Sequence, residues 1–260
     1  MTLIRYIVRK LAFKILIFYL IITLTFMIPR LMPGGAFAYL IGNPYVTPEM
    51  IDALIKAYGL DKPIYVQYVI FMKKLFLEGD LGISYAYKRP VLELILEALP
   101  WTLVLVTSST ILSFAIGVPL GAVLAYARAS RLDILVSGVI LVIRSMPSFW
   151  LGLLLLIIFA YHLGLAPLYG AYTPGAEYES LAEMLIDVLK HMWLPITTLT
   201  LLLLPLPTIY TRNAIVDVLG EDFVRTAQAK GLPDSLILFK HILRPASPPI
   251  VTLFALELGT

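Results

Sequence analysis

Sixty per cent of the 260 residues are hydrophobic and only 14% are charged, against about 25% charged in soluble domains, so the chain belongs in a bilayer. The net charge of +3 is spread over many loops and forms no stripe able to follow a phosphate backbone, so nucleic acid is not an expected partner. The absence of cysteine rules out thiol chemistry, and His162, His191 and His241 lie far apart with no HExxH spacing, so neither a metal centre nor a cofactor is expected.

In chain order, Arg5, Arg9, Lys10 and Lys14 lead into an apolar run that ends near residue 32. No small-x-small cleavage site follows, and the run approaches the ~20 residues that cross a bilayer. Residues 1–32 therefore read as a cytoplasmic N-terminus and a retained first span. Residues 33–98 form an extracytoplasmic helical segment. In it Thr47 can cap a helix that has Pro48 at its first position and Gly59 at its end, and a second helix runs from about Pro63 to Gly79. The run IYVQYVIFMKKLF in that second helix is too short and too charged at Lys73 and Lys74 to span. It is expected to lie on the bilayer surface or to pack on the spans.

Further apolar stretches occur at 99–127, 134–163 and 191–211, and a fifth begins near Ser247. The fifth has only about 12 residues before Thr260, short of a crossing, which suggests a fragment or a natural truncation. Gly117, Pro119, Gly121, Pro147, Gly152, Pro195, Pro205 and Pro207 punctuate these spans. Close helix packing is the ordinary reading of such residues and a moving hinge the less common one. No internal repeat supports a transporter built from inverted halves. With the N-terminus in the cytoplasm, Arg128, Arg131, Arg212, Arg225, Lys230, Lys240 and Arg244 also fall inside, while the outer loop 164–190 carries Lys190 against four acids, Glu177, Glu179, Glu183 and Asp187.

The connection from Arg212 to Pro245 is too long to be a simple turn. Glu221 to Lys230 can form a short helix with acids first and Lys230 last, and Gly231 can supply a left-handed cap. Pro233 then opens a second helix, with Asp234 and Ser235 early and Lys240, His241 and Arg244 late. Phe223, Ala227 and Gly231 recur every four residues, bulky at one end and small at the other. Residue chemistry alone supports two readings of this element equally: docking into a partner's groove, or resting as an amphipathic loop on lipid headgroups.

The segment RTAQAKG, followed by nine residues and HILR, resembles the EAA loop of ATP-binding-cassette importer permeases. Arg225, Thr226 and Ala227 stand in place of EAA, Gly231 is the motif glycine, and the departures match the dipeptide and oligopeptide branch. YGLDKPIYVQY, GDLGISYAYKRPVLELILEALPWTL, IGVPLGAVLA and SMPSFWLGLLL are similar to further blocks of that branch, so the resemblance covers essentially the whole chain. It implies an all-α integral membrane protein, a polytopic helix bundle of the type I importer permease kind, here cut in the fifth of six spans. Residues 99–260 would form the permease core, with 212–245 as the coupling loop.

The resemblance also implies a second homologous permease, two cytoplasmic ATPase subunits and an extracytoplasmic substrate-binding protein. Asp222, Phe223, Arg225, Thr226, Ala227, Lys230 and Gly231 would make the ATPase contact. The chain itself has no G-x-x-x-x-G-K-[ST], so ATP hydrolysis belongs to partners and this subunit is not expected to be an enzyme. Peptides are the favoured cargo, with nickel, glutathione or oligosaccharides as the alternatives. Arg144 and Glu257 lie in apolar spans where charge is costly, which marks them for the translocation path or for structural pairing. Of other classes, an ion-coupled transporter would want intramembrane carboxylates, for which Glu257 alone qualifies, and an intramembrane enzyme would want a paired nucleophile and base, which is not seen.

Overall fold

A computed structural model describes residues 3–31, 33, 48–57, 59–84, 86–233 and 236–259. Among them the regular structure is helical, apart from one isolated antiparallel bridge between Ile83 and Pro90, as the all-α expectation requires. Three helices are long and apolar enough to cross a membrane, Ile4–Leu31, Val91–Tyr126 and Leu181–Leu219, and a bent pair can supply a fourth crossing. The chain divides after Leu94 into two units.

In the first unit, α1 (Leu3–Leu31) is the first span, α2 covers Pro48–Ala57, and α3 (Ile64–Lys73) continues through a π-helical turn to Glu78. Gly59 and Gly79 take left-handed conformations at φ +66° and +65°, where a side chain would be strained. The expected cap Thr47 lies outside the described residues. Of the two placements expected for the IYVQYV helix, α3 has the packed one. Phe26 of α1 is 2% exposed, with the Tyr68 and Phe71 rings 5.1 and 5.2 Å away and the Arg30 guanidinium 3.7 Å from its ring centre. Gln67 accepts from Arg30 Nε at 2.8 Å and donates to the Leu60 and Lys62 carbonyls, so the turn before α3 is tied to the same point.

The second unit contains most of α4 (Val91–Tyr126), followed by α5 (Arg131–Ser145), α6 (Ser148–Leu155, extended by a π-helical turn to His162), α7 (Leu181–Leu203), α8 (Pro205–Leu219), α9 (Asp222–Ala229) and α10 (Leu243–Glu257, preceded by a π-helical turn Ile237–Ile242). Ser109 of α4 donates to the Ile196 carbonyl of α7. Phe114 packs edge-on against Phe254 of α10, 5.0 Å between ring centres.

The structure breaks one of the expected stretches and lengthens two others. The stretch 134–163 is two helices bent by 104°, because a residue before proline is pushed out of the helical region; Met146 sits extended at ψ 135° before Pro147. The apolar stretch 191–211 lies within a longer helical segment, Leu181–Leu219. Ser180 caps its start by accepting the Glu183 amide, and Pro205 opens α8 at a position that tolerates a missing N–H. The helix expected to begin near Ser247 starts at Leu243 and contains Pro248 and Pro249. Pro248 cannot donate to the Arg244 carbonyl, and the Ser247 hydroxyl does so at 2.8 Å.

Outside the spans, the segment before α7 folds onto Asp187. The Thr173 amide, the Thr173 hydroxyl and the Tyr178 hydroxyl donate to that carboxylate at 2.7, 2.8 and 2.7 Å. The last of these bonds pushes the Tyr178 hydroxyl pKa up.

Candidate functional site

The segment after Leu219 is a helical hairpin packed on a core that it shares with α4, α8 and α10. Val224 and Ala227 of α9 are buried with Ile215 of α8, Ile237 and Ile242 of the π-helical turn, Ala246 of α10 and Ala125 of α4. Val224, Ile215 and Ile242 are fully buried, each stabilising by about 1.5 to 3 kcal/mol relative to an exposed side chain. Gly231 reverses the chain at φ +70°. Its amide donates to the Gln228 carbonyl at 2.9 Å, which finishes α9. The π-helical turn Ile237–Ile242 leads directly into α10.

The sequence-expected residues separate into two sets. Asp222, Phe223, Arg225, Thr226, Lys230 and Gly231 are exposed, and a Cβ at Gly231 would meet nothing within 4 Å. Asp222 and Arg225 approach to 3.6 Å as an exposed ion pair, a contact worth little by itself. Thr226 returns its hydroxyl to the Asp222 carbonyl. Ala227, in contrast, is 4% exposed. The spacing-of-four stripe straddles the edge of the helix, and its small central residue is small because Ile215, Ile237 and Ile242 press on it. The outer arm also carries Phe239, 69% exposed. The expected Asp234 and Ser235 lie outside the described residues.

Arg212, expected at the start of a loop, is instead inside α8 and, half-buried itself, pairs with the buried Asp133. Its Nε and Nη2 donate to the two oxygens of Asp133 at 2.8 and 2.6 Å, a bidentate geometry. Asp133 also accepts from the Ala129 amide at 3.1 Å and the Ser137 hydroxyl at 3.3 Å, and its own amide donates to the Ser130 cap. The sequence reading did not single out Asp133. The available signal was Ser130-x-x-Asp133, a capping pattern three residues apart at the start of an apolar run.

The other two expected residues lie apart from the hairpin's outer face. Arg144 is exposed in the last turn of α5, directly before the break, where a cation also suits the helix dipole. Glu257 is half-buried at the end of α10. Beside the break, a shallow, open surface hollow is lined by Leu141, Val142, Ser145, Met146, Pro147 and Trp150.

Residues 117–260 match the model of the binding-protein-dependent transport system inner membrane component, and residues 3–106 match that of the N-terminal part of such membrane components. The chain belongs to this family. Among curated relatives, the oligopeptide transport system permease protein AppB of Bacillus subtilis is 35% identical, over 96% of this chain and 78% of that protein. The di/tripeptide transport system permease protein DppB of Pseudomonas aeruginosa is also 35% identical, over 98% and 80%. The dipeptide transport system permease protein DppB of Escherichia coli K12 is 32% identical, over 98% and 80%.

As an inner membrane component of such a system, the chain is a multi-pass permease. The binding-protein-dependent permease offers two things at this site: an outward rim on α9 held by a buried core, and an ion pair that ties the neighbouring span to the helix leading into that rim.

Proposed function

We propose that this permease is the translocating subunit of an ATP-driven peptide importer, with its N-terminus and the 221–245 hairpin in the cytoplasm and the outer face of α9 docked on an ATPase subunit. A second homologous permease completes the path, two ATPase subunits supply the energy, and an extracytoplasmic binding protein delivers the peptide. The relatives named for oligopeptides, di/tripeptides and dipeptides support the cargo.

One observation carries the coupling role. Val224 and Ala227 are sealed inside the permease's own core while Asp222, Phe223, Arg225, Thr226, Lys230 and Gly231 face outward. A loop resting on lipid headgroups would turn its apolar residues to the bilayer; here Val224, Ala227, Ile237 and Ile242 go into internal packing, and the outward face of α9 is a mixed rim with one aromatic, Phe223. Such a rim, carrying an exposed aromatic on a helix anchored by its buried face, fits a protein groove. Ala227 then acts by setting the height of α9, and the exposed residues make the contact.

Arg144 belongs to the translocation path in this reading, since a cation at a helix break in an apolar span suits a peptide carboxylate. Glu257 serves as a pairing group inside the permease assembly.

The test is uptake of labelled di- and tripeptides by the full-length permease reconstituted with its partner subunits. ATP-dependent uptake that is indifferent to an imposed proton gradient is expected. Uptake driven by the gradient without ATP contradicts the reading.

A further inference from the structure

α5 buries fewer residues than α4, α7 or α8. Its buried residues are Asp133 and Ile140; Val136, Ser137 and Ile143 are half-buried, and the remaining residues, Arg131 and Arg144 among them, are exposed. Apolar contacts between helices in a bilayer gain little from a hydrophobic driving force, so the packing of α5 on α7 and α8 is less directional than a hydrogen-bonded ion pair. The turn from α4 fixes only where α5 begins: Ala129 is held at φ +62°, with its amide on Asp133.

α8 is the opposite case. Gly117 and Gly121 let α4 lie directly on it, with the space for a Cβ at Gly121 taken by Thr211 and the Arg212 amide nitrogen. One turn after Arg212, Ile215 enters the hairpin core. α4, α8 and the hairpin are therefore one body. The Asp133–Arg212 pair is the directional contact that attaches α5 to it, through two charge-assisted hydrogen bonds on a carboxylate that is 4% exposed.

We propose that Asp133 and Arg212 are positioning residues for transport: their ion pair makes α5, and with it the break at Met146–Pro147, follow the movement of α8 and the hairpin. The inference rests on the hairpin being the place where ATPase movement enters the permease. Arg144 stands eleven residues beyond Asp133 on the same helix, so a change in the direction of α5 is delivered to the region beside the break. Neither Asp133 nor Arg212 touches cargo in this account. They determine whether motion at one end of α5 reaches the other.

The experiment uses the full-length permease in its assembled transporter. These 260 residues have no cysteine; with any other cysteine of the transporter replaced by serine, spin labels at Val139→Cys on α5 and Gln228→Cys on α9 report one distance. Both sites are exposed. With Asp133→Asn, which keeps the shape of the side chain and removes its charge, the distance distribution is expected to broaden. The ATPase subunits still co-purify and hydrolyse ATP, and peptide taken up per ATP consumed falls by about 5-fold or more, the lower end of ordinary coupling energies.

Arg212→Lys keeps the charge but loses the two-pronged contact. It is expected to lie between wild type and Asp133→Asn in both readouts, and it carries the test if the asparagine variant fails to assemble. An unchanged distance distribution overturns the proposal, as does an unchanged uptake-to-hydrolysis ratio once the distribution has broadened. A purely structural role predicts lower yield with a normal ratio. If the hairpin is not the docking site, Phe223→Glu leaves the ATPase bound at wild-type levels, whatever the label distance in Asp133→Asn; the two ideas therefore fail separately.

Discussion

Gly121 on α4 and Thr211 on α8 leave no room between them: a Cβ on Gly121 would stand 2.9 Å from the Thr211 Cβ and 3.0 Å from the Arg212 amide nitrogen. The obstruction is partly backbone, which cannot swing aside as a flexible side chain can. Gly121→Val is expected to destabilise the permease by about 1 to 3 kcal/mol, the usual range for overpacking. Gly138 on α5, with nothing within 4 Å of its Cβ position, should accept alanine without loss. Thermal unfolding of the two variants in the same detergent checks this; equal midpoints would mean that α4 and α8 separate more easily than the geometry allows.

Ala227 and Arg225 sit two residues apart on α9 with opposite surroundings. Ala227→Glu places a carboxylate among Ile215, Ile237 and Ile242 and is expected to cost several kcal/mol, unfolding the hairpin before any partner is involved. Arg225→Ala removes an exposed charge and should leave the fold unchanged within about 0.5 kcal/mol. Limited proteolysis within residues 220–242 distinguishes them: rapid cleavage is expected in Ala227→Glu and wild-type resistance in Arg225→Ala.

Asp80 closes the turn after α3 by accepting the Gly82 amide at 2.8 Å, with Lys74 3.4 Å away. The Gly82 N–H first, and Lys74 after it, hold its carboxyl below the usual carboxylate range. A carboxyl with a lowered pKa contributes above its ordinary value and loses that contribution as pH falls through the lowered one. Hydrogen-exchange protection of the Gly82 amide, corrected for intrinsic exchange, is therefore expected to be constant near neutrality and to fall only in acid. Asp80→Asn should weaken it at neutral pH and flatten its acid dependence.

Arg144 is exposed at the end of α5, so Arg144→Gln is expected to leave thermal stability within about 0.5 kcal/mol of wild type. A role in the path predicts a rise in apparent KM for peptides with a free C-terminal carboxylate and little change for their C-terminal amides. Equal effects on both cargoes, or none on either, remove Arg144 from the path.

Much of this architecture could be read from the chain because local chemistry and tertiary packing agree in it. Gly59, Gly79 and Gly231 stop helices in the left-handed conformation that their positions suggested, and the hairpin of α9 follows from Gly231 and Pro233. The bend at Met146 was written in Pro147, but an apolar run conceals whether proline kinks a span or divides it, since that depends on how neighbouring groups re-satisfy the backbone. Pro248 and Pro249 gave the reverse outcome, and Ser247 made the difference. The inward turn of Ala227 was hidden because a spacing of four places three residues on one stripe without saying which edge of it meets the core. Asp133 and Arg212 are 79 residues apart, and nothing local to either names the other.

The most direct test of the coupling claim is co-purification of the ATPase subunits with full-length Phe223→Glu permease, with the hairpin's fold followed by protease resistance in the same sample. Phe223 is 44% exposed and outside the hairpin core, so the hairpin should stay folded and the partner permease should stay bound. The account predicts that ATPase recovery falls to a small fraction of wild type, since an aromatic at the centre of a contact is typically worth 2 kcal/mol or more, roughly 30-fold in affinity. Wild-type recovery of the ATPase with an intact hairpin would contradict the assignment of α9 as the docking helix.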